Sequence, residues 1–485
     1  MKWSGHYWSP TWDTWPLYHK PPILYWLIVF FSRIFDGADA GVSILAARFP
    51  SFLATLGILT FIGFSRKQTP EEAYTSLIRT FLLWGCALFP LITSTSVIFD
   101  PLQTLAMLPC LLIPHHAFVD QRKLSKKEFA IMAASMFLAT AIKGLTGLIL
   151  PTLAIGVHLL LSNFRHFKTA IREGLRFFSW SFIPATILSA IFYWYLDQKI
   201  GRPFTTEFFL VHHFGRGVQA MEAHRGPFFY YIAVTLIGGG LLLPLLAYQI
   251  IRTQFDYKKL GYPLSFAIGT ILFFSISATK LPHYTWPVWP ALILQMLAIQ
   301  DLPSKNNRAI LTPTWKIFLI PISLLGIAIF WLVLNPEIIQ QTEIDHTEIL
   351  FLSIAATLCL TIAFLFRRFI AQLEFISFFM VIITVLLTVP VASIAERILV
   401  SPFFEVARAL KKLDPKSSDC IRDSGPMTAT LSLALGQEVG KDFYHNRCEP
   451  DQMKYLIAPT AKKAECAERK MSVLLEGKTL TLCGH

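Results

Sequence analysis

Charge is scarce in this chain. Only 15% of its residues are Asp, Glu, Lys or Arg, against 54% hydrophobic residues and 41 Phe, a balance that excludes a soluble globule with a polar surface. Acidic residues are scarcer than basic ones, and the net charge of +12 would suit nucleic acid if the cations formed one patch. They fall instead in short connectors between apolar runs, the pattern of loops on the inner side of a membrane, so nucleic acid is excluded as a partner. Close cysteine pairs are lacking, which argues against a zinc site. Inverted repeats and ionisable residues at the middle of apolar runs are lacking too, which argues against a secondary transporter or lipid flippase.

What is present is a polytopic membrane protein. At the roughly 20-residue length that a bilayer demands, the apolar runs give about twelve spans: 42–64, 76–98, 101–119, 128–143, 145–162, 176–196, 228–251, 262–279, 284–300, 314–334, 349–366 and 372–394. Residues 22–35 are apolar but short and read as an interfacial helix. Alternate connectors hold Arg66 and Lys67, Arg122 to Lys127, Arg165 to Arg172, Arg252 to Lys259, Lys305 and Arg308, and Arg367 and Arg368. The positive-inside rule puts these in the cytoplasm.

The remaining connectors then face outward, together with the N-terminal segment and the tail after Ala395. This divides the chain into an outer loop and interfacial helix (1–41), a membrane domain (42–394) and a small soluble outer domain (395–485). Cys420, Cys448, Cys466 and Cys483 all fall in that tail, an even number in an oxidising compartment, so one or two disulfides are expected with the pairing open. The first residues hold neither a basic start nor an apolar signal. The expectation is a preceding helix that this chain does not contain.

Every chemically promising residue lies on the outward side. Asp100-Pro101 starts a span, and a carboxylate there needs a partner or a task, although Asp before Pro also serves as a plain helix start. Lys143 ends a span, where a snorkelling lysine is the ordinary reading. Tyr18-His19-Lys20-Pro21-Pro22 puts a cation before a rigid turn, and the long outer loop carries Glu207, His212, His213, Arg216 and His224-Arg225-Gly226-Pro227. Ser277 to Pro287 packs Lys280, His283 and Tyr284 between two prolines. Lys20, Arg225 and Lys280 together gather positive charge where the positive-inside rule disfavours it, which points to an anionic ligand such as a lipid phosphate.

These motifs, in this order, resemble the membrane-embedded GT-C glycosyltransferases related to protein O-mannosyltransferases and the lipid A aminoarabinose transferase. The resemblance runs from Trp3 to about Gln300 and includes Tyr18 to Leu27, Arg48-Phe49-Pro50-Ser51, Asp100-Pro101, Lys143-Gly144-Leu145-Thr146-Gly147, Glu207 to Arg216, His224 to Tyr231 and Ser277 to Pro287. It implies an all-α GT-C fold, about twelve transmembrane helices here and about thirteen with a preceding one. It also implies inverting transfer of a sugar from a polyprenyl-phosphate donor to a lipid, glycan or protein acceptor at the outer face of the inner membrane.

Carried over residue by residue, the resemblance implies that Asp100 is the catalytic carboxylate, matching the family's second essential acid, which orients or deprotonates the acceptor. Tyr18, Lys20, His224, Arg225, Lys280, His283 and Tyr284 bind substrate. Two departures qualify the match: the family's Asp-Glu loop would precede this chain, leaving an inactive truncated member as one alternative, and His19 stands where relatives carry an acid near a metal. No metal is assigned, and the cofactor is left open with a divalent ion as the one candidate.

Overall fold

The computed structural model describes residues 7–8, 11–12, 15–16, most of 20–300, and strands at 421–423, 455–459, 472–476 and 480–484. Spans expected at 314–334, 349–366 and 372–394 lie outside the described residues, as do Tyr18, His19, Arg216, His224, Arg225, Cys420, Cys448 and Cys466. The chain divides into two compact units.

The first unit is helical. Its elements are α1 (Ile23–Phe35), α2 (Ile44–Phe64), α3 (Pro70–Gly85), α4 (Leu88–Thr93), α5 (Asp100–Val119), α6 (Lys126–Lys143), α7 (Thr146–Ser162), α8 (Phe167–Phe177), α9 (Ile183–Ile200), α10 (Tyr230–Gly238), α11 (Leu242–Arg252), α12 (Tyr262–Ile276) and α13 (Val288–Gln300). Helix α5 packs on α2 and α6, and α7 on α6 and α12.

Local sequence explains many helix starts. Thr69 and Glu72 form a reciprocal capping box with Pro70 in the first turn of α3, and Ser125 and Glu128 do the same for α6. Ser43 caps α2 by accepting from the Ala46 amide at 3.1 Å. Prolines inside α2, α5 and α7 are tolerated because neighbouring helices and hydroxyls satisfy the freed carbonyls. Tyr262 Oη, for example, donates at 2.7 Å to the Cys110 carbonyl, the one that Pro114 leaves without its helical donor.

Three expected spans differ in detail. The run at 76–98 breaks at Cys86-Ala87 into α3 and α4. The run at 228–251 is two helices bent by 95° at Gly238-Gly239-Gly240, where Gly240 has φ +50, a conformation that favours glycine. The run at 176–196 begins earlier, because α8 continues through a π-wound turn (Phe178–Phe182) into α9. Among the described residues three helices are individually long and apolar enough to cross a membrane: Ile44–Phe64, Asp100–Val119 and Phe167–Ile200.

The second unit contains strands. Thr11–Trp12 pairs antiparallel with Trp15–Pro16, and the tail forms a four-stranded sheet. In it Ile421–Asp423 runs parallel to Tyr455–Pro459, which pairs antiparallel with Leu480–Gly484, itself antiparallel to Ser472–Glu476. Cys483 sits opposite Leu456 on one neighbour and Val473 on the other.

Candidate active site

The site forms where one helix begins and another ends. Asp100 is the first residue of α5 and Lys143 the last of α6, so the carboxylate meets the positive end of one helix dipole and the ammonium the negative end of the other. Lys143 Nζ donates to Asp100 Oδ1, and both side chains are buried, at 6% and 3% exposure. An ion pair this dry persists only when each charge has its partner. The Lys143 ammonium also lies 4.7 Å from the centre of the Tyr284 ring, within cation–π range.

The turn that ends α6 is set by glycine. Gly144 has φ 103 and ψ −158 as the C-cap, a region that essentially only glycine adopts. A side chain on Gly147 would meet the Thr140 amide nitrogen at 2.4 Å, so this glycine lets α7 lie directly on α6. Gln103, one turn into α5, donates to Thr146 Oγ1 at 2.7 Å and holds the same corner.

The segment 277–287 closes the site from the other side. His283 Nε2 lies 3.9 Å from Asp100 Oδ2, and at 29% exposure it is far more open than Asp100. Tyr284 is buried against Phe274, with ring centres 4.7 Å apart. Tyr231 accepts from the Leu281 amide at 3.0 Å. Ala278 donates to the Gly217 carbonyl at 3.1 Å, which ties the segment at Gly217 to this corner.

Lys280 is placed differently from a cation waiting for phosphate. Its ammonium donates to the carbonyls of Phe274 at 3.1 Å, Ser275 at 2.7 Å and Ser277 at 2.6 Å, capping the C-terminus of α12. It also lies 5.4 Å from the Tyr231 ring centre, and burial lowers its pKa. The packing reaches the segment before α10 as well: a Cβ on Gly226 would lie 2.9 Å from Lys280 Cγ.

The structure thus brings together Asp100, Lys280, His283 and Tyr284 of the expected set. Lys20 is half-buried just before Pro21 and Pro22, and Ile23 packs on the apolar cluster that contains Tyr231, Phe274 and Tyr284. Tyr18, His224 and Arg225 lie outside the described residues. Lys143, read from sequence as a snorkelling side chain, proves to be a central member. Gly144 marks where the helix ends, and the packing of α5 on α6 brings the lysine to Asp100.

Asp100 and His283 are two donors of the kind that a divalent cation takes. Among the described residues no three His, Cys, Asp or Glu side chains converge on one point.

No protein-family model matches the chain. In sequence it is 28% identical over 280 residues to an uncharacterized protein of Aquifex aeolicus, covering 57% of this chain and 58% of that one. It is 26% identical over 299 residues to the undecaprenyl phosphate-alpha-4-amino-4-deoxy-L-arabinose arabinosyl transferase of Wigglesworthia glossinidia brevipalpis, covering 61% and 51%. The transferase of the same name from Pectobacterium atrosepticum is 26% identical over 310 residues, covering 61% and 52%. The chain therefore spans about half the length of the curated relatives it matches.

Among solved structures, ArnT from Cupriavidus metallidurans bound to undecaprenyl phosphate superimposes with a TM-score of 0.68 at 17% identity, covering 100% of this chain and 91% of that one. The fold is that of the membrane-embedded GT-C class. In sequence the chain is similar to the aminoarabinose transferases, and in fold to ArnT.

Proposed function

We propose that the chain is an inverting glycosyltransferase that moves a sugar from a polyprenyl-phosphate donor to a lipid acceptor. The single observation that carries this reading is the buried Asp100–Lys143 pair with His283 beside its second oxygen, set in a fold whose named relatives are transferases of an undecaprenyl-phosphate-linked sugar. A transporter would need its charges in mid-helix. Asp100 and Lys143 stand at helix ends instead.

In the reaction, the acceptor hydroxyl loses its proton to a carboxylate as its oxygen attacks the anomeric carbon. The bond from that carbon to the carrier phosphate breaks, and the electron pair leaves on the phosphate oxygen, where cations neutralise it. Lys143 occupies Oδ1 of Asp100, which keeps the carboxylate fixed in direction. Oδ2 is left facing His283 and the open side, so Asp100 orients the acceptor. Lys20 and Arg225 hold the phosphate directly, with Tyr18, His224 and Tyr284 around it. Lys280 contributes its field from behind the corner that it caps.

The reading places the protein in the inner membrane with the site on the outer side, because the basic connectors lie at the opposite helix ends. The organisation is a short outer segment (1–41), a membrane domain (42–394) and an outer domain (395–485). The decisive experiment is transfer from an undecaprenyl-phosphate-linked sugar by the purified full chain in lipid, with Asp100→Asn as control. Absence of transfer by wild-type protein with every lipid acceptor offered would sink the proposal.

A further inference from the structure

At the far end of α6 from the site, the chain builds a second, basic feature. Helix α6 runs 18 residues from Lys126 to Lys143, about 27 Å at 1.5 Å per residue, so its N-terminal end and its site end lie roughly one bilayer core apart. Against that N-terminal end packs the π-wound turn after α8: Ser181 Oγ donates to the Phe129 carbonyl at 3.0 Å, and Lys126 Nζ lies 5.5 Å from the Trp180 ring centre.

Here one face of α8 and the following turn opens into a groove of about 440 Å3. Its polar lining is Lys168, Arg172, Arg176 and Ser179, and its apolar lining is Ile171, Leu175 and Trp180. The spacing repeats every three to four residues, so cations and apolar side chains share one helical face. Leu175 is 58% exposed and Ile171 46%, and α8 is the first part of a 34-residue helix, Phe167–Ile200, that is long and apolar enough to cross a membrane. The groove thus begins where a lipid-facing helix leaves the membrane.

We infer that this groove binds an anionic phospholipid, its phosphate held by Lys168, Arg172 and Arg176 and its acyl chains laid over Ile171 and Leu175. Glu173 takes part of the charge, since its carboxylate accepts from Arg172 at 3.3 Å and Arg176 at 2.7 Å. Arg176 also reaches the Leu124 carbonyl at 3.5 Å. Each guanidinium has five N–H groups, which leaves donors directed at the groove, and three cations against one carboxylate keep it positive. An acidic soluble partner would not need the exposed apolar side chains, and a neutral lipid would not need the cations. The inference rests on the chain spanning a membrane and is independent of sugar transfer.

The test is native mass spectrometry of the full chain released from nanodiscs that hold phosphatidylglycerol and phosphatidylcholine in equal amounts. Wild-type protein should retain phosphatidylglycerol preferentially. Lys168→Gln, Arg172→Gln and Arg176→Gln should lower that preference by about fivefold per cation removed, the factor that corresponds to about 1 kcal/mol per basic residue at an anionic surface. Arg172→Lys with Arg176→Lys, which keeps charge and checks folding, should hold most of it.

Equal retention of the two lipids by wild type, or unchanged preference in the triple Gln variant, would overturn the inference. If the Gln variants fail to fold, the salt dependence of wild-type retention decides: a preference that does not weaken as salt rises is not held by these cations. Removal of the lipid by millimolar inorganic phosphate alone would assign the groove to a free anion and overturn the lipid assignment.

Discussion

Lys143 reaches Asp100 across a sequence separation of 43 residues, and the two meet as the last residue of one helix and the first of another. The pair is buried, so removing one partner strands the other charge at a cost of about 3–5 kcal/mol, whereas removing both costs far less. Asp100→Asn should therefore lower the melting temperature, and Asp100→Asn with Lys143→Met should recover much of the loss. Turnover should not recover with it: both variants should be slower by at least ~10²-fold, the scale of a positioned acid or base, while carrier binding persists. Wild-type turnover in the stable double variant would show that the carboxylate serves only as a helix start.

Lys280 gives a different signature. Its ammonium holds three carbonyls at the end of α12, and each hydrogen bond to a charged group contributes roughly 1.5–3 kcal/mol. Lys280→Met should reduce stability by at least that amount and weaken carrier binding together, because the corner bearing His283 and Tyr284 loosens. Thermal melts in detergent and a carrier-binding titration separate the outcomes. Weak binding at unchanged melting temperature would mean that Lys280 turns to the phosphate when the carrier arrives.

Helix ends were legible in the sequence because their signals are local. Asp100-Pro101 announces a helix start and α5 begins there, while the boxes Thr69 with Glu72 and Ser125 with Glu128 are local signals that place α3 and α6 earlier than the hydropathy-based starts at 76 and 128. Breaks inside apolar runs were less legible, since hydropathy is blind to backbone direction. Gly238-Gly239-Gly240 was the available signal for the 95° bend, and the apolar residues on both sides masked it. The partner of Asp100 was out of reach for another reason: only the packing of α5 on α6 brings Lys143 to it. Lys280 was readable as a polar tip, but its three carbonyl acceptors belong to the preceding helix end and appear only in three dimensions.

Sidedness follows from charge and is directly testable. A reporter fused after Lys123 should behave as cytoplasmic, and reporters fused after Gly217 or at His485 as exported, because the basic connectors anchor the inner loops. The exported tail should then carry at least one disulfide among Cys420, Cys448, Cys466 and Cys483. Mass mapping under non-reducing conditions reads this, and four free thiols would count against the assigned side.

Two glycines, twelve positions apart, should respond to the same substitution in opposite directions. Gly144 occupies φ 103 and ψ −158 at the end of α6, where any other residue is strained by about 1–3 kcal/mol. Gly156 lies within α7, and a Cβ added there meets nothing within 4 Å. Gly156→Ala should therefore stabilise the protein by about 0.5–1 kcal/mol, the helix-interior advantage of Ala over Gly, and leave transfer unchanged. Gly144→Ala should lower the melting temperature and also slow turnover, since relief of the strain must rotate the peptide that follows Lys143 and draw its ammonium from Asp100. A Gly144→Ala protein with lower stability but full turnover would show that the Lys143–Asp100 contact tolerates movement of the corner, and the positioning role given to Lys143 would fall.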